Sequence, residues 1–95
     1  MDRKEAYAKR VQAQLDEWDA DIQKLKAKAD KASAEAEIEY QKQIDNLMHQ
    51  REKAKNRLSE LKSAGSDAWE DLKEGVESAT RALGEAISSS ASRLK

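Results

Sequence analysis

The chain has 95 residues, of which 39% are charged and 38% apolar, with a formal net charge of −1. Sixteen alanines supply much of the apolar fraction, and Phe, Cys and Pro are absent. This balance excludes a disulfide or zinc-finger framework, a cationic nucleic-acid arm and a core built from bulky side chains.

Large apolar residues come singly, three or four apart, between charges. With so much Ala, Glu, Lys, Leu and Arg, that pattern reads as a coiled coil or long helix. A regular stripe and a net charge near zero argue against disorder. Residues 1–62 carry 14 basic and 13 acidic groups, and residues 63–95 carry 4 and 6, so neither part is strongly basic. The opening Met1-Asp2-Arg3-Lys4-Glu5 has no apolar core and does not read as a signal peptide. No run reaches the roughly 18 apolar residues of a membrane span. A cytoplasmic location is the default expectation.

In chain order, Asp2 suits an N-cap or first-turn position. Val11, Leu15, Trp18, Ile22, Leu25, Ala29, Ala32 and Ala36 then alternate four and three apart. This heptad seam favours packing against a partner helix. From Ala27 to Ala36 the seam thins to alanine, which keeps helicity but buries little, either as a spacer or as a patch of close helix approach. Steps of four through Tyr40 to Ile44 form a stutter. The seam resumes with Ile44, Leu47, Ala54, Leu58 and Leu61. Arg51 falls on it, either to set register or with its head reaching out to water. Ile38 and Met48 widen the stripe towards a further neighbour.

Residues 64–67 form the candidate turn. Gly65 could close a helix in the left-handed conformation, and Asp67 with Glu70 resembles a capping box. A second helix is predicted over about 67–93. Within it Leu61, Leu72, Leu83 and Leu94 recur every eleven residues, Trp69 keeps the beat of Leu58, and Val76 that of Ile87. Eleven residues make three turns at about 3.67 residues each, a nearly straight stripe. The beat crosses Gly65 in phase, so one continuous rod is the alternative. Ser88-Ser89-Ser90-Ala91-Ser92 is expected to fray, and Gly75 and Gly84 weaken the segment further.

The resulting expectation is an all-α, elongated molecule. A long heptad-patterned helix spans about 3–63 within a 1–63 segment, and a shorter amphipathic helix over 68–95 folds back as an antiparallel hairpin. A helix of residues 3–63 would be about 90 Å long and one of 67–93 about 40 Å. The short helix could therefore cover only half of the long one, and the uncovered half predicts a homo-oligomer. The interface expected from the stripe comprises Val11, Leu15, Trp18, Ile22, Leu25, Ile44, Leu47, Leu58, Leu61, Trp69, Leu72, Val76 and Leu83. Trp18 and Trp69 read as packed, with exposure as anchors the alternative.

Chemistry is hard to place on such a chain. His49 is the sole histidine, too few ligands for a transition metal. Asp16, Glu17, Asp19 and Asp21 lack the spacing of a calcium loop. A thin rod offers no water-excluding pocket. No enzyme, cofactor or metal is expected. A peripheral lipid or desiccation-protective role is the alternative function. The polar face of residues 66–94 is Glu, Asp and Ser, so anionic headgroups would repel it and a membrane partner is disfavoured.

Three stretches carry a resemblance: Leu15-Asp16-Glu17-Trp18-Asp19-Ala20-Asp21-Ile22, Ile38-Glu39-Tyr40, and Ala68-Trp69-Glu70-Asp71-Leu72-Lys73-Glu74-Gly75-Val76. They resemble small bacterial coiled-coil proteins of a stress-response family, common in cyanobacteria and proteobacteria. Such relatives often repeat the tryptophan one beat later, where this chain has Thr80. The resemblance implies a stress-linked scaffold or adaptor and brings no reaction or binding residues.

Overall fold

The computed structural model describes residues 2–94, and all of its regular structure is helical. Helix α1 spans Arg3–Asp30, α2 Ala34–Ser63 and α3 Trp69–Arg93. Asp2 caps α1, accepting from the Glu5 N–H at 2.8 Å.

The expected helix over 3–63 is therefore two helices. The Lys31 and Ala32 N–H groups tighten the end of α1 onto the Lys28 and Ala29 carbonyls, each at 3.1 Å. Ser33 then turns extended (φ −64°, ψ 161°), and its hydroxyl caps α2 by accepting from the Ala36 N–H at 3.3 Å. The physical reason for the break is burial. A straight helix would leave the Val11–Leu25 stripe wet, whereas a reversal at 31–33 lays it against the chain's own helices. The molecule measures 51 × 19 × 18 Å, well short of a rod of about 90 Å.

The turn after α2 is also built differently from the expectation. Ala64 is extended, and no residue among those described has a positive φ, Gly65 included. Trp69 N–H donates to the Gly65 carbonyl at 3.3 Å. Ala68 occupies the N-cap of α3 without a side-chain hydrogen bond, so the Asp67/Glu70 capping box does not form. Instead, Lys4 of α1 closes the far end of α2, its ammonium donating to the carbonyls of Lys62 (3.3 Å) and Ala64 (2.9 Å). A cation at a helix C-terminus satisfies orphan carbonyls and complements the dipole.

These contacts fix the directions. Lys4 meets the end of α2, Tyr40 OH donates to the Leu94 carbonyl, and Tyr7 packs on Trp69. Hence α1 and α3 run parallel and α2 runs antiparallel to both. Leu15, Ile22, Leu47, Leu58, Leu61, Val76 and Leu83 are fully enclosed between the three helices.

The eleven-residue beat does not continue across the turn as one stripe. On α3 the deepest positions are Trp69, Val76, Leu83 and Ser90, seven apart, while Leu72 is only half-buried. Facing two helices rather than one selects the heptad, because its positions stay over the same groove. The serine-rich tail expected to fray is helical to Arg93, and Ser90 is fully buried, donating to Gln43 Oε1 at 2.8 Å.

The Trp18 indole of α1 lies directly over Gly84 of α3. A Cβ there would lie 2.8 and 3.1 Å from carbons of the Trp18 indole, while one at Gly75 would find only an Arg57 carbon at 3.9 Å. In an exposed helix, Gly→Ala gains about 1 kcal/mol. Gly75→Ala should deliver that gain and raise Tm by roughly 4–8 °C. Gly84→Ala should instead lose about 1–2 kcal/mol, since overpacking outweighs propensity. Thermal melts of the two variants side by side check the contrast; equal gains would mean that Trp18 does not sit on Gly84.

Candidate interaction surfaces

The residues expected to form an interface between copies are brought together inside one copy. Val11, Leu15, Ile22, Leu25, Ile44, Leu47, Leu58, Leu61, Trp69, Val76 and Leu83 are buried, and Trp18 and Leu72 are half-buried. Tyr7, Ala8 and Ser90 are core members that the spacing did not single out, while Ile87 and Leu94, on the eleven-residue beat but outside the expected interface, are buried too. The available signal was the heptad Trp69-Val76-Leu83-Ser90, masked by a serine where an apolar residue was sought.

Ile38, expected to widen the stripe, points to water. It is 63% exposed, the one large hydrophobic so exposed among the described residues. It stands one turn along α2 from the exposed Ala34, next to the 31–33 reversal.

Arg51 occupies its seam position with only 18% of its side chain exposed, so its head is held inside rather than reaching out to water. Its guanidinium donates to Asp19 Oδ1 at 3.3 Å across the α1/α2 interface and lies 3.9 Å from Glu52. The Arg51 Nε is buried without a partner. The acidic run containing Asp19 is dispersed among neighbours. Gln12 donates to Asp16 at 3.0 Å and Gln14 to Glu17 at 3.1 Å. Among the described residues, no three Asp, Glu or His side chains gather as a metal site.

Where α1 and α3 begin, two aromatic rings meet a ring of cations. Tyr7 and Trp69 pack tilted with centroids 5.9 Å apart. Lys73 Nζ lies 5.1 Å from the Tyr7 centroid and 5.4 Å from that of Trp69, and the Arg10 guanidinium lies 5.5 Å from Tyr7. These cation–π contacts cover the edge of the core. Arg3 approaches Glu70 at 4.0 Å. A shallow cleft of about 390 Å³ remains between Arg3, Arg10, Lys73 and the rings.

Tyr7 OH donates to Glu77 Oε1 at 3.4 Å. Burial raises its pKa above 10.0, and the negative Glu77 adds to the rise. Because the folded state holds the proton more tightly, this contribution is complete below the unfolded pKa and is lost as pH climbs through the folded one. Wild type should lose stability above about pH 10, and Tyr7→Phe should remove the Tyr7 share of that slope. Denaturant midpoints from pH 8 to 11.5 measure it. Identical slopes in the two proteins would rule the linkage out.

Among the described residues, no helix is long and apolar enough to cross a membrane. No protein-family model, curated protein or solved structure matches the chain.

Proposed function

We propose that the protein acts through helix–helix association rather than catalysis, as a self-associating coiled-coil scaffold or adaptor of the cytoplasm, linked to stress as its sequence resemblance implies. The carrying observation is how the chain spends its side chains. Among the described residues, nearly every large apolar one goes into packing between helices, and the exception, Ile38, stands free beside a three-residue turn. The clefts are open grooves between helices, walled by long polar and charged side chains such as Gln50, Lys53, Arg57 and Glu60 above Gly75 and Ala79. Such grooves suit contact with another helix; catalysis calls for enclosed, converging polar groups.

Sedimentation velocity over 1–200 µM, roughly the range spanning weak to moderate association, tests the reading. A concentration-dependent shift from monomer to dimer supports it. A strict monomer throughout the range overturns it. Far-UV circular dichroism separates the lipid-protective alternative, which calls for helix only when vesicles are added.

A further inference from the structure

We infer that a second copy of this chain associates by domain exchange: the 31–33 turn straightens and α1 docks on the partner's α2 and α3. This rests on the reading that the chain self-associates, and it names how.

The turn is the first observation. It consists of Lys31, Ala32 and Ser33, with neither Gly nor Pro, between Asp30 and Ala34. All three residues tolerate helix, and Ala27–Ala36 has high helix propensity. The reversal is held by the Ser33 cap and by two carbonyls each accepting an N–H three residues on. Short hinges of this kind invite exchange between identical chains.

Arm length is the second. Helices α1 and α2 have 28 and 30 residues, so the hinge lies midway along a straightened 3–63 helix. Two such helices, each about 90 Å long, would overlay antiparallel over their whole length. Each α1 would meet the same partners as in the closed chain, including Arg51 across from Asp19. The core is conserved, and the difference is confined to the hinge. The open form gains continuous helical hydrogen bonds there.

The third is what surrounds the hinge. Where the two long helices would cross, the seam is Ala29, Ala32 and Ala36, with Ala27 and Ala34 exposed beside it. Alanine permits close approach of two helix backbones. Helix α3 ends opposite Tyr40, where Leu94 meets it, leaving this stretch to the two long helices alone. This accounts for a seam that is alanine alone beyond the end of α3.

Charge exchange provides the test. Asp19→Arg and Arg51→Asp each place like charges across the α1/α2 interface, both in a closed monomer and in an exchanged homodimer. Unfolded together and refolded at equal concentration, the two variants can restore opposite charges at both interfaces only by exchanging α1. A 1:1 heterodimer, seen by native mass spectrometry and melting above either variant alone, is the expected result.

Two hinge variants accompany it. Ser33→Ala removes the cap of the closed form twice per dimer and should tighten dimerisation at least about tenfold. Three glycines inserted between Ala32 and Ser33 should relax the turn, interrupt the straight helix and leave a monomer that melts cooperatively. If wild type dimerises but the charge variants do not cross-pair and neither hinge change moves the equilibrium, exchange is wrong while self-association stands. A wild-type monomer at every concentration overturns both.

Discussion

Ile22→Asp should unfold the protein at 25 °C, while Ile38→Asp should leave its helicity and melting temperature nearly unchanged. The residue type and the substitution are the same; only the surroundings differ. Ile22 is 0% exposed at the meeting of the three helices, and Ile38 is 63% exposed. Losing the buried isoleucine removes about 2–3 kcal/mol of hydrophobic stabilisation. An aspartate in its place is a buried charge without a partner, costing several kcal/mol more unless it is protonated. Native domains have only about 5–15 kcal/mol in hand, and one this small sits towards the lower end. At Ile38 the carboxylate meets water, and surface changes stay within roughly 0.5 kcal/mol. Circular dichroism melts of the two variants decide it. Similar loss in both would mean that the three-helix packing is misassigned.

Arg51 and Asp19 should respond asymmetrically. Asp19→Ala removes the carboxylate that Arg51 reaches at 3.3 Å and leaves a guanidinium that is 82% enclosed, with its Nε already unpartnered. That should cost about 1–3 kcal/mol. Arg51→Met keeps an unbranched side chain on the seam and removes the enclosed charge. Asp19, 35% exposed, can turn to solvent. Replacing an enclosed ion pair by apolar packing is often neutral or stabilising by about 1–4 kcal/mol, and partial exposure places this pair at the low end. Denaturant unfolding should therefore move the two midpoints in opposite directions. If Arg51→Met destabilised as much as Asp19→Ala, the ion pair would be a net source of stability. A polar group on a helix seam can specify register; if this pair does so, Arg51→Met should broaden the amide NMR lines of α1 and α2, and unchanged line widths would show that the apolar seam alone sets it.

Much of the packed face of each helix was legible in residue spacing. Val11, Leu15, Ile22 and Leu25 on α1, and Ile44, Leu47, Leu58 and Leu61 on α2, are buried as their four-and-three alternation implies. Periodic burial is a local property, written into neighbouring turns. The reversal at 31–33 was not legible in the same way. Lys31 and Ala32 are good helix formers, and Ser33 lacks the glutamate or glutamine three residues on that would have marked a capping box. The hint was indirect, in the stutter from Ala36 through Tyr40 to Ile44 immediately beyond the turn. On α3 an apparent eleven-residue rhythm concealed the heptad, because Leu72 is conspicuous in the sequence but half-buried, whereas Ser90 is unremarkable but enclosed. Ser90 became a core residue only because Gln43 of α2 accepts its hydrogen bond.

By itself the sequence determined that the chain is helical and which side of most of its turns is apolar, since both depend on residues within a few positions of each other. The tertiary structure decided where the chain reverses and which stripe covers which. Hairpin, rod and three-helix bundle satisfy the same local spacing. They differ in whether the Val11–Leu25 stripe finds cover within its own copy, and that free energy belongs to contacts between residues far apart in the chain, up to 70 positions in the case of Tyr7 and Glu77.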